Sequence, residues 1–161
     1  MIRINLVTVG KLKEKYWRDA AAEYQKRLSA FCQLNIVELN EYKLSDSPSQ
    51  KEIEAALASE GKDMEKYLSI GSSCSIAMCV EGGQLTSEEL SEKLDSYGTQ
   101  GISTVNFLIG SSFGLSEAVK SRCALRLSMS KLTFPHQLAR IMLLEQIYRS
   151  FQISHNTRYH K

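Results

Sequence analysis

The strongest constraint on the fold is a repeated switch of hydrophobic period along the chain. Ile2 to Val9 is a β-branched run that stops at Gly10, after which Trp17, Ala20, Ala21, Tyr24, Leu28 and Phe31 recur at helical spacing. Leu34 to Leu39 alternates again as a second strand. Ser47 as N-cap, Pro48 as first helical residue and Gln50 as capping-box partner predict the next helix start. Its apolar stripe is Ile53, Ala56, Leu57, Met64, Tyr67 and Leu68, with Gly61 a weak point inside it. Ser75 to Val80 reads as a strand covered on both faces, turned by Glu81-Gly82-Gly83. Thr86 with Glu89 forms a capping box, and Leu85 with Leu90 a hydrophobic staple, for a helix carrying Leu94 and Tyr97 that is expected to stop at Gly98. Thr104 to Ile109 is a fourth strand, Ser116 caps a short helix, and Leu125 and Leu127 mark a fifth strand. The last helix starts near Pro135 and buries Leu138, Ile141, Met142, Ile147, Tyr148 and Phe151.

This alternation predicts one α/β domain over residues 1–161, a mainly parallel sheet of five to six strands with helices on both faces. In such sheets ligands sit beyond the carboxyl ends of the strands. The loops to watch therefore begin near Met78, Gly110 and Met129.

Several function classes are excluded early. No apolar run approaches the ~18 residues of a membrane span, and Met1 to Leu6 alternates in polarity rather than forming the apolar block of a signal peptide. A cytoplasmic protein without a membrane partner is expected. Cys32, Cys74, Cys79 and Cys123 lack CxxC spacing, and His136, His155 and His160 form no ligand pair, so structural thiols and no metal are expected. Gly110 to Gly114 lacks both the dinucleotide glycine spacing and the Lys-Ser or Lys-Thr of a P-loop, which disfavours NAD and ATP chemistry. Such a loop, without cations, suits a ligand held by backbone groups, such as adenine or ribose, although a plain strand-to-helix turn has the same composition.

Charge is divided unevenly. Residues 1–31 hold seven Lys/Arg against three Asp/Glu, residues 32–117 five against fourteen, and residues 118–161 eight against one. The basic C-terminal quarter is able to attract phosphates if it folds into one patch, despite a net charge of only +2.

Specific runs then carry a resemblance. Val7-Thr8-Val9-Gly10-Lys11-Leu12-Lys13-Glu14-Lys15-Tyr16-Trp17, Leu108-Ile109-Gly110 with Gly114-Leu115, Leu132-Thr133-Phe134-Pro135-His136-Gln137, Glu145-Gln146-Ile147-Tyr148-Arg149 and the terminal Tyr159-His160-Lys161 occur in order along the chain. Together they resemble the ribosomal RNA large-subunit methyltransferase H family of the SPOUT class. The resemblance implies a C-terminal trefoil knot that builds an S-adenosylmethionine pocket, and a homodimer. It further implies methylation of N3 of a pseudouridine in 23S rRNA on assembled ribosomes. Cofactor contacts are implied at Met78, Gly110, Met129, Ser130, Lys131, Leu132, Thr133 and Phe134.

The implied catalytic end is Tyr159 and His160, with Arg140 or Arg149 holding phosphate or base, and Lys11, Lys13, Lys15 and Arg18 extending phosphate contacts. Ser111 departs from the pattern, since the family commonly has a second glycine there, and a serine resists φ > 0. A nucleotide-binding regulatory module and a ribosome-associated RNA-binding protein without turnover are the alternatives.

Overall fold

Five strands form in the computed structural model, which describes residues 1–161. They are β1 (Arg3–Val9), β2 (Gln33–Leu39), β3 (Ser73–Gly83), β4 (Thr104–Ile109) and β5 (Leu125–Leu127). All pair in parallel, in the order β2-β1-β4-β3-β5. The helices between and after them are α1 (Lys15–Leu28), α2 (Gln50–Met64), α3 (Ser87–Thr99), α4 (Glu117–Ser121) and α5 (His136–Ser154).

Strand alternation splits the core into two layers. Ile4 and Leu6 of β1, Cys74 and Ile76 of β3, and Val105 and Phe107 of β4 face α1, α3 and α5. Val7, Val9, Ala77 and Leu108 face the other way, against Met64 at the end of α2, Leu68 just after it, and Leu115 and Val119 around α4. Each fully buried aliphatic or aromatic side chain is worth about 1.5–3 kcal/mol.

Register is fixed by polar side chains as well. Asn35, Asn5 and Asn106 lie at matched positions of β2, β1 and β4. Asn35 Nδ2 donates to Asn5 Oδ1 at 2.9 Å, and Asn5 Nδ2 donates to Asn106 Oδ1 at 2.7 Å. A one-residue slip would leave buried amides unpaired, at about 1–3 kcal/mol each.

Three boundaries differ from expectation. The N-cap of α2 is Ser49, not Ser47, because Glu52 supplies a carboxylate that reaches the Ser49 N–H while Ser49 Oγ takes the Glu52 N–H. α3 runs through Gly98, and the chain turns instead at Gly101, whose φ of +81° is the left-handed value. β3 does not turn at Glu81-Gly82-Gly83 but continues past an irregularity, so that Gly83 pairs with Leu127 and accepts the Ser128 N–H at 2.8 Å. The β5 edge is thereby held from both sides of the bulge.

α5 is the element that ties the sheet together. It packs on α1 and α3, where small side chains allow close approach and Ser91 Oγ donates to the Ser150 carbonyl at 2.7 Å. The chain leaves β5 at one edge, passes through residues 128–135, and enters α5. There Arg140 reaches Glu38 of β2, the opposite edge strand, at 2.8 Å. No helix is long and apolar enough to cross a membrane.

Candidate active site

Beyond the carboxyl ends of β3, β4 and β5 lies a cavity of about 350 Å³, within the ~300–1,000 Å³ range of small-molecule sites. Its walls are Met78 to Glu81, the whole β4–α4 loop Ile109 to Leu115, and Leu127 to Ser130 followed by Leu132, Thr133 and Phe134. Lys120, His136 and Ala139 complete it. Seven of the eight residues expected around a cofactor border this space. Lys131 does not: Ser130 and Leu132 border the cavity on either side of it, tied by a Leu132 N–H to Ser130 Oγ bond of 3.0 Å, although Leu132 itself stays 71% exposed, and Lys131 is left in solvent.

The β4–α4 loop is shaped by backbone contact. The Gly114 N–H donates to the Ser111 carbonyl at 2.8 Å, and Gly114 has φ +80°. A Cβ on Gly110 would stand 2.1 Å from the Gly114 carbonyl oxygen, so only glycine permits the fold-over. Ser111 keeps an ordinary φ, so the departure from a second glycine is tolerated: the left-handed conformation belongs to Gly114.

The cavity holds little charge. Glu81 and Lys120 pair across it, and this contact holds the Glu81 carboxyl below its usual range and the Lys120 ammonium above its own. The pair lies 39 residues apart in sequence and had no signal there. His136 and the Cys79 thiol are the remaining ionisable side chains, and burial pushes the thiol up. Apolar walls, backbone donors and acceptors, and a nearly neutral interior suit a nucleoside better than a phosphate-rich ligand. Burial pushes Cys32, Cys74 and Cys123 up to about 11, leaving these thiols protonated and unreactive.

Comparison with known proteins agrees with this geometry. The family described as "Predicted SPOUT methyltransferase" matches residues 2–160. The chain belongs to the SPOUT methyltransferase family. It is 48% identical over 162 residues to a ribosomal RNA large subunit methyltransferase H of Clostridium acetobutylicum, covering 99% of this chain and 100% of that one. It is 45% identical over 161 residues to the protein of the same name from Leuconostoc mesenteroides, again covering 99% and 100%. A solved methylase-family protein from Neisseria gonorrhoeae shares the fold, with a TM-score of 0.53 over 91% of this chain and 81% of that one, at 14% identity.

The other expected SPOUT residues separate into two places. Tyr159 and His160 fold back onto α5. The Tyr159 hydroxyl donates to Glu145 Oε1 at 3.1 Å, its ring packs edge-on to Tyr148 at 5.0 Å, and the Arg149 guanidinium lies 4.9 Å from its centroid. Arg149 grips Glu145 with two nitrogens, the shorter bond 2.7 Å, and donates from Nη1 to His160 Nδ1 at 3.2 Å. Because arginine only donates, Nδ1 must accept, and the imidazole proton sits on Nε2, which donates to Glu88 Oε1 at 2.7 Å. Burial and the Glu145 carboxylate push the Tyr159 phenol up, so it is a donor at neutral pH.

Arg140 does not join this group. It is 3% exposed and donates to Glu38 Oε2 at 2.8 Å and to the Gly10 carbonyl at 3.1 Å. Glu38 in turn accepts the Leu12 N–H and Gln137 the Lys13 N–H, so Arg140 is part of a clasp between the β1–α1 loop and α5. Arg18 is likewise committed, to the Leu12 and Lys13 carbonyls, and Lys15 to Asp19. Lys11 and Lys13 stay exposed and outside any ion pair. The basic C-terminal quarter is largely neutralised: Lys120, Arg122, Arg126, Arg140 and Arg149 all pair with carboxylates.

Proposed function

We propose that the chain methylates N3 of a pseudouridine in 23S rRNA, using S-adenosylmethionine, in the cytoplasm and on assembled ribosomes. The observation that carries this reading is the convergence of three strand-end loops on one nearly neutral cavity, in a chain 48% identical to a large-subunit rRNA methyltransferase along its whole length.

The residues present fit the methyl donor. The Gly110–Gly114 backbone and the main chain around Met129 and Leu132 are the groups to hold adenosine, with Ile109, Leu115 and Leu127 as apolar walls. When bound, S-adenosylmethionine supplies an electrophilic methyl group on a sulfonium. Transfer needs in-line placement of the nucleophile, and the departing thioether is neutral and needs no acid. The N3 imide proton must leave, and a cation or donor beside the uracil ring eases that step.

Tyr159, His160 and Arg149 are the groups with that chemistry. They surround Glu145, which borders a second space of about 420 Å³ rather than the first cavity. No tail residue lines the first cavity of its own chain. This supports a homodimer in which one protomer's tail serves the partner's cavity. α5 argues the same way: Leu138, Ile141, Met142 and Tyr148 stay only half-buried, so apolar surface remains around the helix. The return of residues 128–135 past the β4–α4 loop supports the trefoil knot as the device that closes the ligand site.

Purified protein with methyl-labelled S-adenosylmethionine is expected to label 23S rRNA in ribosomes from a strain that lacks the modification. Ligand binding without transfer to ribosomes or free rRNA would leave a regulatory module. Salt-sensitive RNA binding indifferent to the methyl donor would leave an RNA-binding protein.

A further inference from the structure

Glu88 and Glu89 stand side by side in the first turn of α3 and have different tasks. Glu89 is absorbed by the helix start: its Oε2 accepts the Thr86 N–H at 2.7 Å, and its own N–H donates to Thr86 Oγ1 at 3.1 Å. Ser87 Oγ donates to Gln146 Oε1 of α5 at 2.7 Å and ties the same turn to the last helix. The backbone of Glu88 is therefore fixed from both sides. Its Oε1 accepts the His160 Nε2–H at 2.7 Å, across 72 residues of sequence.

Stability does not account for this contact. The Glu88 side chain is 56% exposed and that of His160 28%, and ion pairs open to water contribute little. What the contact does settle is the state of the imidazole. Arg149 Nη1 donates to His160 Nδ1 at 3.2 Å, so a carboxylate at one nitrogen and a guanidinium at the other leave a single tautomer. Arg149 is itself held by Glu145, at 2.7 Å. The ring thus hangs between two elements that flank the second space. Glu88 directly follows its lining residues Thr86 and Ser87, and Arg149 lies one helical turn past Glu145.

Resting on the reading of the tail as the end that handles the RNA base, we infer that Glu88 is a positioning residue for methyl transfer, acting through His160. It keeps the imidazole proton on Nε2 and leaves Nδ1 as a hydrogen-bond acceptor. The N–H that Nδ1 accepts in the free protein belongs to Arg149. The imide N3–H of a uracil-type base is a donor of the same kind, and takes that place when RNA is bound. Without Glu88 the ring is free to turn and to carry its proton on Nδ1, where it would meet the imide donor to donor. Glu88 touches neither the RNA nor the methyl donor; it sets the ring that meets the base.

The test follows methyl transfer to ribosomes from a strain that lacks the modification. Alongside it, the ring nitrogen shifts of His160 are read in protein labelled with 15N-histidine and identified against His160→Gln. Wild type should show the Nε2–H tautomer. Glu88→Ala should lower kcat about tenfold, less than an acid–base group's own contribution. The S-adenosylmethionine KM and the melting temperature should stay unchanged, while His160 exchanges between tautomers. Glu88→Gln keeps an oxygen acceptor for Nε2–H, so it should restore the tautomer and bring kcat to within about threefold of wild type. In protein lacking Tyr159 to Lys161, Glu88→Ala should cost nothing further, because its effect passes through His160.

Wild-type kcat in Glu88→Ala, the same loss with and without the tail, or a wild-type His160 carrying its proton on Nδ1 would each overturn the inference. So would a kcat in Glu88→Gln as low as in Glu88→Ala. Wild-type protein that binds S-adenosylmethionine but leaves the ribosomes unmethylated would instead refute the methyl-transfer reading on which this rests, and the wild-type tautomer tells that failure apart from this one.

Discussion

The two ends of α5 carry an arginine each, Arg140 and Arg149, and the pair shows how one helix separates holding from acting. Arg140 is sealed at the β1–β2 side, its charge spent on Glu38 and the Gly10 carbonyl. Arg149 is half-buried, shared among Glu145, His160 and the Tyr159 ring, in a cluster whose other members are the last residues of the chain. Identical side chains thus differ by what surrounds them. A sealed ion pair fixes geometry, whereas a surface cluster of aromatic, imidazole and guanidinium groups can be rearranged by a ligand or a partner subunit.

The largest effect should come from the sealed end. Replacing Arg140 with Leu leaves the Gly10 carbonyl and Glu38 without their donor. The loss should be about 2–4 kcal/mol, discounted from the figure for fully buried pairs because Glu38 is one-third exposed. It is read as a lower urea midpoint at constant m. Protein that remains folded should keep its kcat within about threefold, or roughly 0.6 kcal/mol. A large fall in kcat with unchanged stability would return Arg140 to the catalytic group and erase the contrast.

Removing Tyr159 to Lys161 comes next. Turnover should fall about a hundredfold, a general acid–base contribution of ordinary size, while methyl-donor affinity and the melting temperature stay near wild type. Full activity after truncation would remove the tail from the reaction. Arg149→Lys should be milder, with kcat about tenfold lower and donor KM unchanged. A lysine keeps the charge but loses the fork that grips Glu145, reaches His160 and covers Tyr159 together.

The difference between the two ends also marks how far the sequence could be read. Strand order along the chain, the Thr86–Glu89 box and the extent of Thr104–Ile109 were legible because period and capping are local. The three loops of the cavity followed from a general rule about strand ends, and the family resemblance selected the same loops. The clasp held by Arg140 was not legible because nothing local distinguishes a contact to residues 10 and 38 from a substrate contact; its partners lie 130 and 102 residues away. The Asn35–Asn5–Asn106 ladder and the Glu81–Lys120 pair escaped for the same reason. Ser49 rather than Ser47 caps α2 because both serines fit the pattern and only Glu52 breaks the tie. Whether the basic C-terminal quarter forms a patch could not be read locally either: Lys120, Arg122, Arg126 and Arg140 meet carboxylates from the acidic middle of the chain, and Arg149 meets Glu145 of its own segment.

The smallest effect tests whether the cavity bordered by the first turn of α5 senses ligand charge. S-adenosylmethionine carries one more positive charge than S-adenosylhomocysteine, so their affinity ratio reports the local field and cancels most contacts. Glu81 is about half exposed and already faces Lys120, so removing its charge should change the ratio by only about twofold, as for solvent-screened pairs. In Glu81→Gln the cavity keeps Lys120 with only Glu117, at 3.4 Å, as its counter-charge, and S-adenosylmethionine should lose affinity relative to S-adenosylhomocysteine. The wild-type ratio should be flat from pH 8 to 6, because Lys120 holds the Glu81 carboxyl below its usual range and keeps it ionised there. The stability gained from this carboxylate is present above the unfolded carboxylate pKa of about 4.3 and is lost only as pH falls through the lower folded value. A ratio that moves between pH 8 and 6 in wild type and in Glu81→Gln alike would assign the field to a group other than Glu81.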